Sequence, residues 1–145
     1  MKLTITITAT AMLLIVAACS SNISNSKDLD ENMLDMRVYH DNLGMYIRNN
    51  NADYALWLLN GMDSSLQVIA EKFNTHRKLI DPFKKSYNKL LAPPIQDMRI
   101  ALKQNDFPKA IHAYRLLTKN CNGCHIDLEV DKEVLDWTLP QEKDY

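Results

Sequence analysis

Three side chains in Cys121-Asn122-Gly123-Cys124-His125 have the types and spacing to hold an iron-bearing macrocycle. Two thiols stand three positions apart, and an imidazole follows the second directly. Each thiol can add across one vinyl group of a porphyrin, the sulfur bonding one carbon and the proton the other. The imidazole then offers a nitrogen to the iron, so three bonds fix one cofactor. This is the pattern of covalent haem c attachment. Other uses of a Cys-x-x-Cys pair fit less well. A zinc site needs further thiolates or imidazoles, and His40, His76 and His112 are scattered along the chain. A thioredoxin-like dithiol belongs to a strand–helix context, whereas the residues before Cys121 read as helix. The expectation is one covalent haem c, with Cys121 and Cys124 as its attachment points and His125 as the proximal iron ligand.

The third and last cysteine is Cys19. Met1-Lys2 is followed by an apolar and hydroxyl-rich run, Leu3 to Ala18, closed by Val16-Ala17-Ala18-Cys19. That order reads as a signal-peptide core with a small-residue cleavage site. The run is shorter than the roughly 20 residues that span a bilayer, and polar Ser/Asn-rich sequence follows it. The residues around the cut resemble the bacterial lipobox, which implies a diacylglycerol on Cys19. Ser20, rather than an aspartate, follows it. By resemblance to lipoprotein sorting in Gram-negative bacteria, this implies a lipid anchor on the periplasmic side of the outer membrane. The expected organisation is a lipoprotein signal peptide over 1–18, a flexible tether over 19–27 and a haem-binding domain over 28–145. Export agrees with the motif, because c-type haem is attached outside the cytoplasm. The formal net charge of −1 carries no polyanion footprint, so nucleic acid is not an expected partner.

The elements that must position the motif read as helices. A first helix is expected from about Leu29 to Arg48, with Met33, Met36, Val38, His40, Leu43 and Ile47 mostly on one face. Asn49-Asn50-Asn51 reads as a turn, because Asn tolerates left-handed backbone and caps helices. A second helix runs from about Ala52 to Phe73 on the stripe Tyr54, Leu58, Met62, Leu66, Ile69 and Phe73, with Gly61 tolerated inside. Asp81-Pro82 reads as a cap followed by proline at the first helical position. The third helix should be kinked or split at Pro93-Pro94, which lack backbone donors. A fourth, capped by Asn105-Asp106 with Pro108 in its first turn, carries Ala110, Ile111, Tyr114 and Leu117 into Cys121 and Cys124. The segment from Leu128 to Trp137 should fold back on the helices. The fold class is therefore all-α, an antiparallel four-helix bundle with a C-terminal haem motif.

Four helices with the haem motif in the last resemble the cytochrome c′ superfamily, the four-helix class II c-type cytochromes. A closer resemblance is to small bacterial c-type haem proteins of largely unassigned role. It rests on His40 with Leu43, the turn Asn49 to Asn51, Tyr54 with Trp57, Phe107 with Tyr114, and Cys121-Asn122-Gly123-Cys124-His125, and it spans roughly Met33 to Pro140. Ile126-Asp127-Leu128-Glu129 departs from cytochromes c′, which carry a basic residue shortly after the histidine. The resemblance implies that the first helix approaches the far side of the iron. Met36 is the favoured sixth ligand, with Met33 and His40 as alternatives on the same face. Arg37 can pair with a propionate, and Tyr54, Trp57, Tyr114 and Trp137 can pack on the porphyrin. The ordinary uses of these side chains, core packing and solvated surface, compete with those roles. The expected function is electron transfer to a redox partner protein, with the lipid holding the carrier at a membrane. The alternative is a five-coordinate haem protein that binds or senses a diatomic gas. A third reading is a lipoprotein whose haem chiefly consolidates the fold. The sequence leaves a homodimer open. No catalytic triad, carboxylate pair or phosphate loop is recognisable, so enzyme activity is not expected.

Overall fold

The computed structural model describes residues 29–73 and 79–140. The expected signal peptide, the lipid-bearing Cys19, the tether and His76 lie outside the described residues. Among the described residues the chain is all-α, with no strand. It comprises α1 (Leu29–Arg48), α2 (Ala52–Lys72), α3 (Phe83–Ser86), a π-helical stretch Tyr87–Leu91, α4 (Ala92–Lys103) and α5 (Phe107–Asp127). None of these helices is long and apolar enough to cross a membrane.

Local chemistry accounts for the boundaries. Asn50 takes a left-handed φ of 54° after α1, and Asn51 caps α2 by accepting from the Tyr54 N–H at 3.2 Å. Asn105 turns the chain in the same way, at φ 55°, before Asp106 caps α5 through the Lys109 N–H. The third helix differs from expectation at both of its special sites. Pro82 stays outside the helix at ψ 140°, and the Asp81 carboxylate takes Lys85 Nζ at 2.8 Å instead of capping. The interruption attributed to Pro93-Pro94 lies just before them, as the π-helical turn. Prolines suit the first turn of α4, where an N–H has no partner anyway, and the widened turn sets that new start. Pro94 leaves the Leu90 carbonyl, four residues back, without its helical donor. Asn120 of α5 fills the gap, its amide donating to Leu90 O at 2.6 Å.

Helix α1 packs on α2 and α5, and α4 packs on the same two, so each long helix has two neighbours. Leu43, Ile47, Leu59, Ile95, Met98, Leu102, Tyr114 and Leu117 form the fully buried centre. Tyr39 lies across Gly61 and Tyr46 stacks on Tyr54, pairings that set α1 and α2 antiparallel. One buried polar cluster ties α2 to the π-helical stretch and α4. Asp63 accepts from the Tyr87 hydroxyl and from Arg99 Nη2, each at 2.6 Å. Burial, with the Asp63 carboxylate next in effect, holds the Tyr87 phenol above its ordinary range.

The segment after α5 returns along the molecule as an irregular strap. Lys132 meets His125, Val134 meets Asn122, Asp136 meets Arg115, and Trp137 lies over Gly44. The Leu139 carbonyl finally accepts from Arg48, at the far end of α1.

Candidate cofactor site

The last two turns of α5 bring Cys121, Cys124 and His125 to one helix face, because positions i, i+3 and i+4 are neighbours on a helix. Both cysteines are free thiols and partly buried. Burial pushes the Cys121 thiol up to about 12, and burial followed by the Asp127 carboxylate raises that of Cys124. Reactive dithiols need the opposite shift, because the thiolate is the nucleophile. Among the described residues no group of three or more His, Cys, Asp or Glu side chains is arranged to hold a metal ion. A thiol pKa near 12 in place of 9 leaves on the order of a thousandfold less thiolate near pH 8. The haem-free chain should therefore alkylate far more slowly at Cys121 when folded than in urea. Equal rates in the two states would contradict this burial.

His125 is oriented by the strap. Its Nδ1 lies 2.7 Å from the Lys132 carbonyl oxygen. A carbonyl only accepts, so Nδ1 donates to it, and in the neutral ring Nε2 is then the nitrogen with the lone pair. This arrangement is the one that prepares an imidazole for a metal. Asn122, between the two cysteines, holds the strap two residues further on. Its amide donates to Val134 O at 2.9 Å and its carbonyl accepts from Val134 N at 2.7 Å.

One turn further back, α1 and α5 are joined by a buried polar chain around His40. The Thr118 hydroxyl donates to Tyr114 O at 2.9 Å and so accepts from His40 Nε2 at 2.9 Å. The other ring nitrogen, Nδ1, faces the Tyr114 hydroxyl at 3.0 Å, and the two rings stack at 4.6 Å. Tyr114 is kept protonated, its pKa pushed far up by burial, and its oxygen also meets the Trp137 backbone N–H. Nε2 is spent on Thr118, and the Tyr114 hydroxyl covers Nδ1 while also reaching the His40 carbonyl oxygen at 3.1 Å, so His40 fastens α1 to α5.

The other expected residues divide clearly. Gly44 meets Tyr114 and His40 meets Thr118, so α1 and α5 run antiparallel with a fixed register. Continued by one and two turns, that register brings Met36 to the level of Cys121 and Met33 to that of Cys124 and His125. Met36 is buried, and Met33 packs against the core. Tyr54 and Trp57 stand on the outer face of α2, at 57% and 68% exposure, and do not line the site. Tyr114 is occupied by His40. Arg37 is exposed and pairs with Asp41 at 3.4 Å. His112 is exposed, as its place off the apolar stripe predicts.

Sequence reasoning missed three residues. Asn120 was signalled by Pro94, which predicts an orphaned carbonyl that some donor must satisfy. Gly44 was signalled by its place on the apolar face of a helix rich in large side chains. Asn122 gave no sign beyond its presence between the cysteines. The chain matches no protein-family profile, no curated protein and no solved structure.

Proposed function

We propose that the chain is a monohaem c-type cytochrome, an antiparallel four-helix bundle of cytochrome c′ resemblance that transfers electrons. The hydrogen bond from His125 Nδ1 to the Lys132 carbonyl carries this reading. It prepares Nε2 as an iron ligand beside two protonated, unpaired thiols that share its helix face. These residues fit the group: Cys121 and Cys124 would hold it as thioethers and His125 would bind its iron. When bound, such an iron alternates between ferrous and ferric states and so carries one electron. The chain's own residues supply the rest. The strap orients the imidazole, and the packed face of α5 excludes water from one side of the thiols. Met36, buried and level with Cys121, is the favoured sixth ligand ahead of Met33. His40 is better explained as the tie between α1 and α5. A diacylglycerol on Cys19 would hold the carrier at the periplasmic face of a membrane, most simply the outer one, close to a redox partner.

The test is the product made in a host able to mature c-type cytochromes. Its mass should exceed that of the polypeptide by one haem, mapped to the peptide carrying Cys121 and Cys124, with sharp split bands in the reduced spectrum. A chain without that added mass would overturn the proposal.

A further inference from the structure

We infer that Asn122 is a positioning residue for the axial histidine, and not only a spacer between two thiols. The inference rests on the haem reading just given and deepens it. His125 Nδ1 is held by a carbonyl on a stretch of chain that cannot hold itself. Residues 130–136 have no regular secondary structure, and Asp131, Lys132 and Glu133 are exposed. Two anchors bracket the Lys132 carbonyl. On one side the Val130 N–H donates to the His125 backbone oxygen at 2.9 Å, which continues the end of α5. On the other, Asn122 grips both polar groups of one residue, Val134, at 2.9 and 2.7 Å.

Two opposed hydrogen bonds to one residue's N–H and C=O fix its rotation as well as its position. From Val134 back to Lys132 is two residues, a reach of at most about 7 Å. The clamp therefore determines where the Lys132 carbonyl points. Asn122 and His125 lie one turn apart on rigid helix, so the clamp, the carbonyl and the imidazole close a short ring. The next side-chain anchor along the strap, Arg115 to Asp136, is four residues from Lys132 and half-exposed on its arginine side.

The electronic consequence has a definite sign. A proton on Nδ1 shared with a carbonyl makes the imidazole a stronger donor, which favours ferric over ferrous iron. Without the clamp the carbonyl wanders, the donor weakens and the potential rises.

The test uses the full-length mature protein with Asn122→Ala, Asn122→Gln and Arg48→Gln. The last removes one tie at the far end of the strap, that to the Leu139 carbonyl, and leaves the clamp alone. Covalent haem content, the reduction potential and the exchange rate of the His125 Nδ1 proton are measured for each. Asn122→Ala should keep its haem, shift the ferric–ferrous equilibrium about tenfold toward ferrous, 59 mV for one electron, and speed proton exchange. Asn122→Gln, which retains an amide, should recover part of both effects. Arg48→Gln should match the parent. A parent-like potential and exchange rate in Asn122→Ala would overturn the inference and leave the haem reading standing. An equal shift in Arg48→Gln would overturn it too, since loosening the strap anywhere would then suffice. If Asn122→Ala does not mature, Asn122→Gln carries the test, and a parent-like result there overturns the inference. A parent protein without haem brings down the haem reading itself, which the haem content reports separately.

Discussion

On the haem reading, replacing His125 with alanine should erase the parent's visible bands, one of the two largest effects expected of a substitution in the chain. Its Nε2 is the one imidazole nitrogen in α5 that the fold leaves with a free lone pair beside the two thiols. Either maturation fails and no coloured protein forms, or the macrocycle is attached and its iron lacks a protein nitrogen. Both outcomes erase the parent bands. In the second case imidazole added to the buffer should restore a parent-like spectrum, because the space vacated beside Lys132 matches it. The alanine variant of His40 provides the contrast. That ring is held by Thr118 and Tyr114, so its loss should lower stability by about 2 kcal/mol, the scale of buried hydrogen-bonding groups left unpaired, and leave the iron spectrum in place. An unchanged spectrum in the His125 variant would remove that residue from the metal.

The second large effect is at Gly44. A Cβ built there would stand 2.5 Å from the Tyr114 hydroxyl oxygen, 2.6 Å from its ring carbon and 2.7 Å from Trp137 Cβ. A helical Gly→Ala change ordinarily stabilises by up to about 1 kcal/mol through helix propensity. Here the neighbours cannot give. Tyr114 is fully buried, stacked on His40 and hydrogen-bonded, and Trp137 is fixed by the strap. Overpacking costs about 1–3 kcal/mol, so Gly44→Ala should be destabilising on balance, and Gly44→Leu more so, by about 3 kcal/mol. Urea unfolding checks both. Gly123 is the internal reference, because a Cβ there meets nothing within 4 Å. A Gly44→Ala protein as stable as its parent would mean that α1 and α5 are not this close.

Much of the architecture could be read before any coordinates. The ends of α1 and α4 and the starts of α2 and α5 follow from residues whose chemistry is local: Asn51 and Asp106 as caps, Asn50 and Asn105 in left-handed turns. Most of the stripes that became the core, such as Leu58, Met62, Leu66 and Ile69, follow from helical period alone, whereas Val38 and Tyr54, expected on the same stripes, lie at their edges and are exposed. At Pro82 and at Pro93-Pro94 the reading was only partly right, because a proline reports that a donor is missing and does not report how the chain rearranges. The pentapeptide was legible because its chemistry is contiguous. The setting of His125 was not. Its partner is a backbone carbonyl, which any residue supplies, so nothing about Lys132 marks it. His40 shows the same limit from the other side. Its place on the methionine face was visible, and its two partners lie 74 and 78 residues away.

The return of the strap across α5 also orders events in time. Residues 128–139 are synthesised after the helix they cover, and they close over it through Asn122 and His125, two members of the pentapeptide. On the haem reading proposed above, closure and cofactor attachment would compete for the same surface. With the strap docked both thiols remain partly exposed, so on that reading docking would narrow access to them without closing it. The same docking would then hold the axial imidazole in place, so one movement would serve first as a deadline and then as a latch.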